Sequence, residues 1–263
     1  MTKKISNEER ASAAVSVCMA TYNGERYLDE QVSSILAQLN TDDELVVVDD
    51  ASKDGTVAYL ESLGDPRIRV YRNIDNLGHV QSFAKAIGLA CHKYILMADQ
   101  DDVWINGRVS AMRDALDAGF FLVSTNSEFM DGEGRLIQPL HPDLKEEDSY
   151  FYLSNIVRIF TGRAYYDGCA MGLRNELRQL VLPIPGYVES HDLWIAMAAN
   201  AAGSNLHLAR RTLCRRIHGS NASVVSRPLV RKLGSRAIFF ISLLHIGLRI
   251  LTQRFTSRDT SLS

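Results

Sequence analysis

Asp99, Gln100, Asp101 and Asp102 stand together at the end of a short apolar run, Tyr94 to Ala98. If the two-residue period of a strand persists past its last residue, Asp99 and Asp101 project to the same side. Two carboxylates at that spacing can share one hard divalent cation, Mg²⁺ or Mn²⁺. An acidic turn capping the next helix would use the same residues. Like charges about 4–5 Å apart repel by roughly 3–4 kcal/mol at an effective dielectric of about 20, whereas a cap needs one carboxylate and contributes about 1 kcal/mol. Three clustered carboxylates therefore fit a metal or metal–phosphate site better than a cap, and this stretch alone leaves both open.

The elements that must position this cluster are legible around it. Val15 to Ala20 reads as a strand ending in Thr21-Tyr22-Asn23-Gly24, followed by a helical pattern through Leu28, Val32, Ile35 and Leu39. Glu44 to Val48 is a second strand, ending in Asp49-Asp50-Ala51-Ser52, with Asp54-Gly55 opening a helix. Arg67 to Tyr71 is a third strand, Asn76-Leu77-Gly78 leads a helix from His79 to Ala90, and Lys93 to Ala98 is the fourth strand. Strands alternating with helices of this length predict an α/β fold with a mostly parallel sheet, in which ligands lie at the carboxyl ends of the strands. TYNG, DDAS and DQDD all fall at such ends. No GxGxxG or GxxxxGK[ST] follows any strand, which argues against a dinucleotide-binding or P-loop enzyme. Phosphates would then be neutralised by a metal and side chains rather than by a glycine-rich helix start.

These motifs resemble those of family 2 glycosyltransferases. The likeness is carried by TYNG, by VVVDDASKDGT, by the stretch Asn73 to Gly78 and by YILMADQDDVW, and continues through Gly168-Cys169-Ala170-Met171, ESHDLW (Glu189 to Trp194) and RIHGSN from Arg216. The acid-rich DQDDVW is similar to that of bacterial rhamnosyltransferases of polysaccharide and O-antigen synthesis. The resemblance implies a GT-A fold and inverting transfer from a nucleoside-diphosphate sugar, dTDP- or UDP-linked, to a saccharide or lipid-linked acceptor. A divalent metal is implied with it. Thr21, Tyr22 and Asp50 would hold the base and ribose, with Asn23 and Gln100 beside them. Asp99 would face the ribose and Asp101 would be the direct metal ligand. Trp104, Cys169, Met171, Glu189, His191 and Trp194 fall in motifs on the acceptor side. The pattern is broken at Ile105-Asn106-Gly107-Arg108, where a proline is usual, at Arg215, where an aromatic is common, and at Ser82, which replaces a frequent asparagine.

On this reading residues 1–13 form a frayed lead-in, 14–118 the nucleotide-sugar-binding half, 119–224 the acceptor and catalytic half, and 225–263 a basic, apolar C-terminal helix. In the second half, Phe120 to Thr125 and Asp167 to Leu173 read as strands, and Phe129 to Ile137 as a hairpin turning at Asp131-Gly132-Glu133-Gly134. The aromatic segment ending at Tyr166 fits either core or an acceptor-side cover. Asp192 precedes a strongly helical stretch, Leu193 to Ala202, and reads by composition as its N-cap. The resemblance assigns it the general base that an inverting displacement requires, with Glu189 and His191 as alternatives. Beyond a strand at Leu206 to Leu208, the basic residues Arg215, Arg216 and His218 fit a clamp on the departing diphosphate, with His218 reaching phosphate or metal, and Arg72 fits the same task. A solvated basic edge is the plainer alternative. A non-catalytic nucleotide-sugar-binding scaffold would share the fold but has no need of Asp99, Asp101 and Asp192 together.

Composition narrows the class further. The 263 residues are 46% hydrophobic and 23% charged, as in ordinary globular proteins, and a net charge of −2 gives no reason to expect nucleic acid as a partner. Cys18, Cys91, Cys169 and Cys214 show no metal or redox spacing, and read as reduced thiols of a cytoplasmic protein. The N-terminus lacks the apolar core of a signal peptide, and no uninterrupted apolar run reaches the roughly 20 residues a bilayer span needs. The C-terminal AIFFISLLHIGLRIL, flanked by basic residues, fits three placements: the inner face of a membrane, a dimer interface, or its own domain.

Overall fold

The computed structural model describes residues 14–219 and 229–259; the lead-in expected over 1–13 and the residues 225–228 lie outside this range. Strands β1 (Val15–Thr21), β2 (Glu44–Asp49), β3 (Ile68–Arg72) and β4 (Tyr94–Asp99) pair in parallel in the order β3-β2-β1-β4. Helices α1 (Glu25–Leu36), α2 (Thr56–Ser62) and α3 (His79–Leu89) make the connections. Buried on both faces, the central strands alternate between two cores. Val17, Met19, Val47 and Leu96 pack with Leu28 and Val32 of α1, while Cys18, Val46, Val48 and Met97 pack with Phe83 and Ile87 of α3. Each such fully buried aliphatic side chain contributes about 1.5–3 kcal/mol, which fixes the register and hence the level at which the strands end.

Past β4 the sheet changes character. β4 pairs antiparallel with β8 (Met171–Arg174), and the sheet continues through β6 (Leu122–Met130), β9 (Asn205–Arg216) and β5 (Val103–Trp104). A short β7 (Leu136–Ile137) turns back on β6, pairing Phe129 with Ile137, so the expected hairpin forms. Covering helices are α4 (Arg108–Asp117), α5 (Tyr152–Thr161), α6 (Asn175–Val181) and α7 (His191–Ala201), with a final α8 (Leu229–Asp259). The sheet is thus the mostly parallel α/β sheet expected, with an antiparallel β8 inserted beside β4.

Three expectations need correction. The strand expected over Asp167 to Leu173 begins only at Met171, because Gly168–Ala170 forms a 3₁₀ turn. The strand expected at Leu206 to Leu208 runs for twelve residues, to Arg216; its long partner β6 supplies pairing along its length. The C-terminal stretch holds a segment, Gly234–Thr252, that is long and apolar enough by length and composition to cross a bilayer. A count of uninterrupted apolar residues stops at His245 and Arg249 and misses it. The aromatic segment divides: Ile156, Ile159 and Tyr166 enter the core, while Tyr150 and Phe151 are exposed.

Candidate active site

The register brings the polar strand ends to one level. Ala20 pairs with Asp99 and Thr21 with Asp49, so β1, β2 and β4 terminate side by side, and a cleft of about 880 Å³ opens above them. Tyr22, Asn23, Asp50, Asp99, Gln100 and Asp101 line one side of it.

This side is heavily cross-braced. Asp50 is buried, with Oδ1 accepting from Asn73 Nδ2 at 2.8 Å and Leu77 N at 2.9 Å, and Oδ2 from Gly78 N at 2.8 Å. Burial raises its pKa, but the bonds from Asn73, Leu77, Ser82 and Gly78 outweigh burial and hold the carboxyl below its ordinary value. Thr21 also lines the cleft, and its Oγ1 donates to Asp49 at 3.1 Å. Asn23 adopts a positive φ of 48°, which its type tolerates. Its Oδ1 accepts from Lys53 N and its N–H donates to Ser52 Oγ. Gln100 spends its amide on Tyr22, accepting from Tyr22 N at 2.8 Å and donating to Tyr22 O at 3.2 Å. A Cβ at Gly24 would lie 2.3 Å from Gln100 Oε1, so only glycine admits this brace. Tyr22 itself is half exposed on the rim.

The acidic cluster splits by depth. Strand pairing stops at Asp99, and the turn that follows leaves Asp99 and Asp101 on the cleft while Asp102 turns inward and is buried. Asp101 Oδ2 lies 2.7 Å from His218 Nε2, whose ring packs at 4.9 Å on Tyr27. Asp99 is raised to about 7, by burial and then by the charges of Asp101 and Asp192. Asp102 accepts from Arg216 N at 3.0 Å, and its Oδ2 has no partner among the described residues; burial and the neighbouring Asp99 and Asp101 raise its pKa well above the ordinary range.

Two donor sets are therefore available to a cation. The carboxylates of Asp99 and Asp102 and the Cys169 thiol all lie within 4.8 Å of one another. Burial raises the pKa of Cys169, which favours the thiol, and a thiol buried against two guanidinium groups suits a hard cation poorly. The carboxylate of Asp101, a hard donor, and the imidazole of His218, a borderline one, open on the cleft beside room for phosphate oxygens. The Asp101–His218 pair is the set that fits Mg²⁺ or Mn²⁺.

Opposite the strand ends, α7 begins at the cleft wall. Ser190 caps this helix, accepting from Leu193 N, so the cap is Ser190 and not Asp192 as composition suggests. The serine precedes the first helical residue, whereas Asp192 is already inside the first turn. Asp192 lines the cleft with Oδ1 bound by Leu193 N at 2.8 Å and by the Ser190 hydroxyl. Its Oδ2 makes no hydrogen bond among the described residues. His191 stacks on Phe83 at 4.2 Å, with neither ring nitrogen hydrogen-bonded among the described residues. Burial pushes it down to about 4, keeping it neutral near pH 7. Gly168 makes room for this ring, since a Cβ there would meet His191 Nε2 at 2.7 Å. Glu189 also lines the cleft, and accepts from Ser235 Oγ of α8 at 3.0 Å.

Of the basic residues, β9 separates neighbours by the alternation of a strand. Arg215 faces the cleft, 2.6 Å from Asp167. Burial works against its charge, but Cys169, Asp167, Asp99 and Asp102 raise its pKa and keep it cationic. Arg216, expected at the donor, is instead buried. Its Nε donates to Asp101 O at 2.9 Å, its Nη2 reaches Glu30 at 2.5 Å, and its guanidinium lies 4.7 Å from the Tyr27 ring centroid. It braces the acidic turn from behind.

Several expected site residues are not brought to the cleft. Arg72 points to Glu61 at 2.8 Å on the surface. Trp104 packs in the core under the Arg108 guanidinium, Met171 is wholly buried in β8, and Trp194 donates to Val181 O inside the core. Cys169 is buried, and its carbonyl accepts from Arg108. Large apolar residues inside a motif serve packing as readily as contact. Conversely Tyr27, one turn into α1, lines the cleft; a helix starting directly after TYNG at the strand end is the signal that points to it.

The glycosyl transferase family 2 model matches residues 16–181, more than half of the chain. The chain belongs to glycosyl transferase family 2. Among curated members, it is 32% identical to the dTDP-rhamnosyl transferase RfbG of Shigella flexneri over 105 residues, covering 37% of this chain and 36% of that protein. It is 30% identical to the putative colanic acid biosynthesis glycosyl transferase WcaA of Escherichia coli over 165 residues, 59% of each. These matches span between about a third and three-fifths of the relatives' lengths. The fold is that of S. aureus TarS 1–349 in complex with UDP-GlcNAc, with a TM-score of 0.67 at 19% identity over 90% of this chain and 66% of TarS 1–349. The family 2 chain thus has the GT-A fold.

Proposed function

We propose that this chain is an inverting glycosyltransferase moving a hexosyl group from a nucleoside-diphosphate sugar to a hydroxyl of a saccharide or lipid-linked saccharide in bacterial surface-polysaccharide synthesis. The observation that carries the reading is that Asp50, Asp101 and Asp192, from three separate segments, line one cleft at the carboxyl ends of the parallel strands. L-rhamnose from a dTDP donor is the favoured sugar, on the DQDDVW stretch and the likeness to RfbG. A UDP-sugar is the second reading, since TarS, of the same fold, is in complex with UDP-GlcNAc.

Asp50, on the cleft lining, would accept the ring N–H of a pyrimidine through its carboxylate, with Tyr22 on the rim beside it. Asp101 and His218 would hold a divalent ion, which when bound supplies positive charge against the diphosphate. Arg215 faces the same leaving group. Asp192 Oδ2 takes the proton of the acceptor hydroxyl as its oxygen bonds to the anomeric carbon and the carbon–oxygen bond to diphosphate breaks. The bond from Leu193 N at the start of α7 fixes the direction of that carboxyl.

Asp192→Asn tests the assignment. Transfer should fall by about 10²–10⁴-fold while nucleotide-sugar affinity, read by calorimetry, stays within about twofold. Undiminished transfer would remove Asp192 as base, and a wild-type protein that binds but never transfers or hydrolyses the donor would favour the scaffold reading.

A further inference from the structure

The site leaves one large feature unused. α8 packs on the domain by one face only, burying Ile246 and Ser242 with Phe239, Leu243 and Ile250 against the core. Its opposite face carries Phe240, Ile241, Leu244, Leu248 and Leu251, each more than half exposed, at the spacing of one helical stripe. The stripe continues onto α5, where Phe160 contacts Phe239 and Phe240 at 5.2 Å, and Leu153 and Val157 are exposed along the same helix. An exposed apolar surface of this extent marks an interaction face.

Charge selects the occupant. α8 holds six basic residues against the single Asp259, a net +5, whereas the whole chain is −2, which leaves −7 for the rest. Arg236 is exposed beside the stripe, its guanidinium 5.6 Å from the Phe160 ring. Two copies meeting by this face would bring one basic helix, with the exposed Arg236, against another, while a bilayer with anionic headgroups meets both the apolar stripe and the charge. Arg249, mid-helix, donates to Leu180 O at 2.8 Å and Pro183 O at 2.7 Å, and His245 pairs with Tyr187 at 2.9 Å, which pins α8 lengthwise on the domain.

We propose that the outer face of α8 with α5 docks on an anionic lipid surface and holds the cleft mouth there. The link to the cleft is Ser235 of α8 on Glu189 of the cleft wall, two residues before the α7 start. Lipid docking stands without the transfer reading; its use, delivering lipid-linked acceptors to the cleft, rests on that reading.

Flotation with phosphatidylcholine vesicles, with and without about 30% phosphatidylglycerol, tests the docking. The full chain should bind the anionic vesicles at least about tenfold more tightly than the neutral ones, with binding weakened by salt. Leu244→Glu/Leu248→Glu, at exposed positions, should lose about tenfold or more with an unchanged thermal midpoint, and Arg236→Glu several-fold. Binding to neither vesicle, or equal binding by the double variant, would overturn the proposal. So would a wild-type dimer that the double variant converts to a monomer, since a second copy would then occupy the face. Nucleotide-sugar binding measured without vesicles reads the transfer proposal separately.

Discussion

The two walls of the cleft differ in how complete they are. On the strand-end wall several side chains are already held by protein partners: Asp50 with Asn73, Leu77 and Gly78, Gln100 with Tyr22, Asn23 with Ser52 and Lys53. On the wall formed by α7, neither nitrogen of His191 has a partner among the described residues. A buried polar atom without a partner costs about 1–3 kcal/mol. The first wall is preformed, its bracing holding Asp50 at the cleft before a ligand enters. The second keeps its polar capacity for what enters. Substitutions should therefore fail in different ways on the two sides.

After Asp192→Asn, the largest effect belongs to the cleft-facing arginine. Arg215→Ala should cut kcat/KM by about two orders of magnitude, as expected for a charge-assisted contact to diphosphate, where a role in packing alone would show as lost stability with kinetics preserved. Next comes the braced wall. Asp50→Ala strands three donors and should cost about 2 kcal/mol in urea unfolding, in addition to weakening donor binding; an unchanged midpoint would show that the bracing does not hold this wall. His191 gives a smaller, pH-dependent effect. Its pKa is pushed down to about 4 in the fold, against about 6.5 when unfolded. The folded state thus binds fewer protons between those values, and stability falls as pH drops from 6.5 to 4. Relative to pH 7.5, wild type should lose about 1 kcal/mol at pH 5.5 that His191→Phe does not lose; parallel pH profiles would refute the burial argument. Least is expected from Arg72→Ala, which removes an exposed pair with Glu61: under about 0.5 kcal/mol, with donor affinity unchanged.

What the sequence made legible follows the same division. β1 to β4 announce themselves because each is a short β-branched or aliphatic run closed by a polar turn, and the turn residues are local to the strand that carries them. The parallel order and the cleft above it follow. The second wall depends on long-range pairing. That β9 extends to Arg216 is decided by its partner β6, and only that length sends Arg215 to the cleft and Arg216 behind the acidic turn. Trp104, Met171 and Trp194 share motifs with polar residues, and the motif does not tell which members pack. The cap of α7 shifted from Asp192 to Ser190 because helix starts are uncertain by a residue or two until the backbone is seen.

The central claim is that Asp101 and His218 hold a cation against a sugar-linked diphosphate. Calorimetric titration of dTDP- and UDP-sugars into wild type and Asp101→Ala, each with Mn²⁺ and with chelator, tests it most directly. Wild type should bind one nucleotide class at least about tenfold more tightly with Mn²⁺, and Asp101→Ala should bind equally weakly with or without it. Equal wild-type affinity in chelator, or a full Mn²⁺ response in Asp101→Ala, would contradict the account.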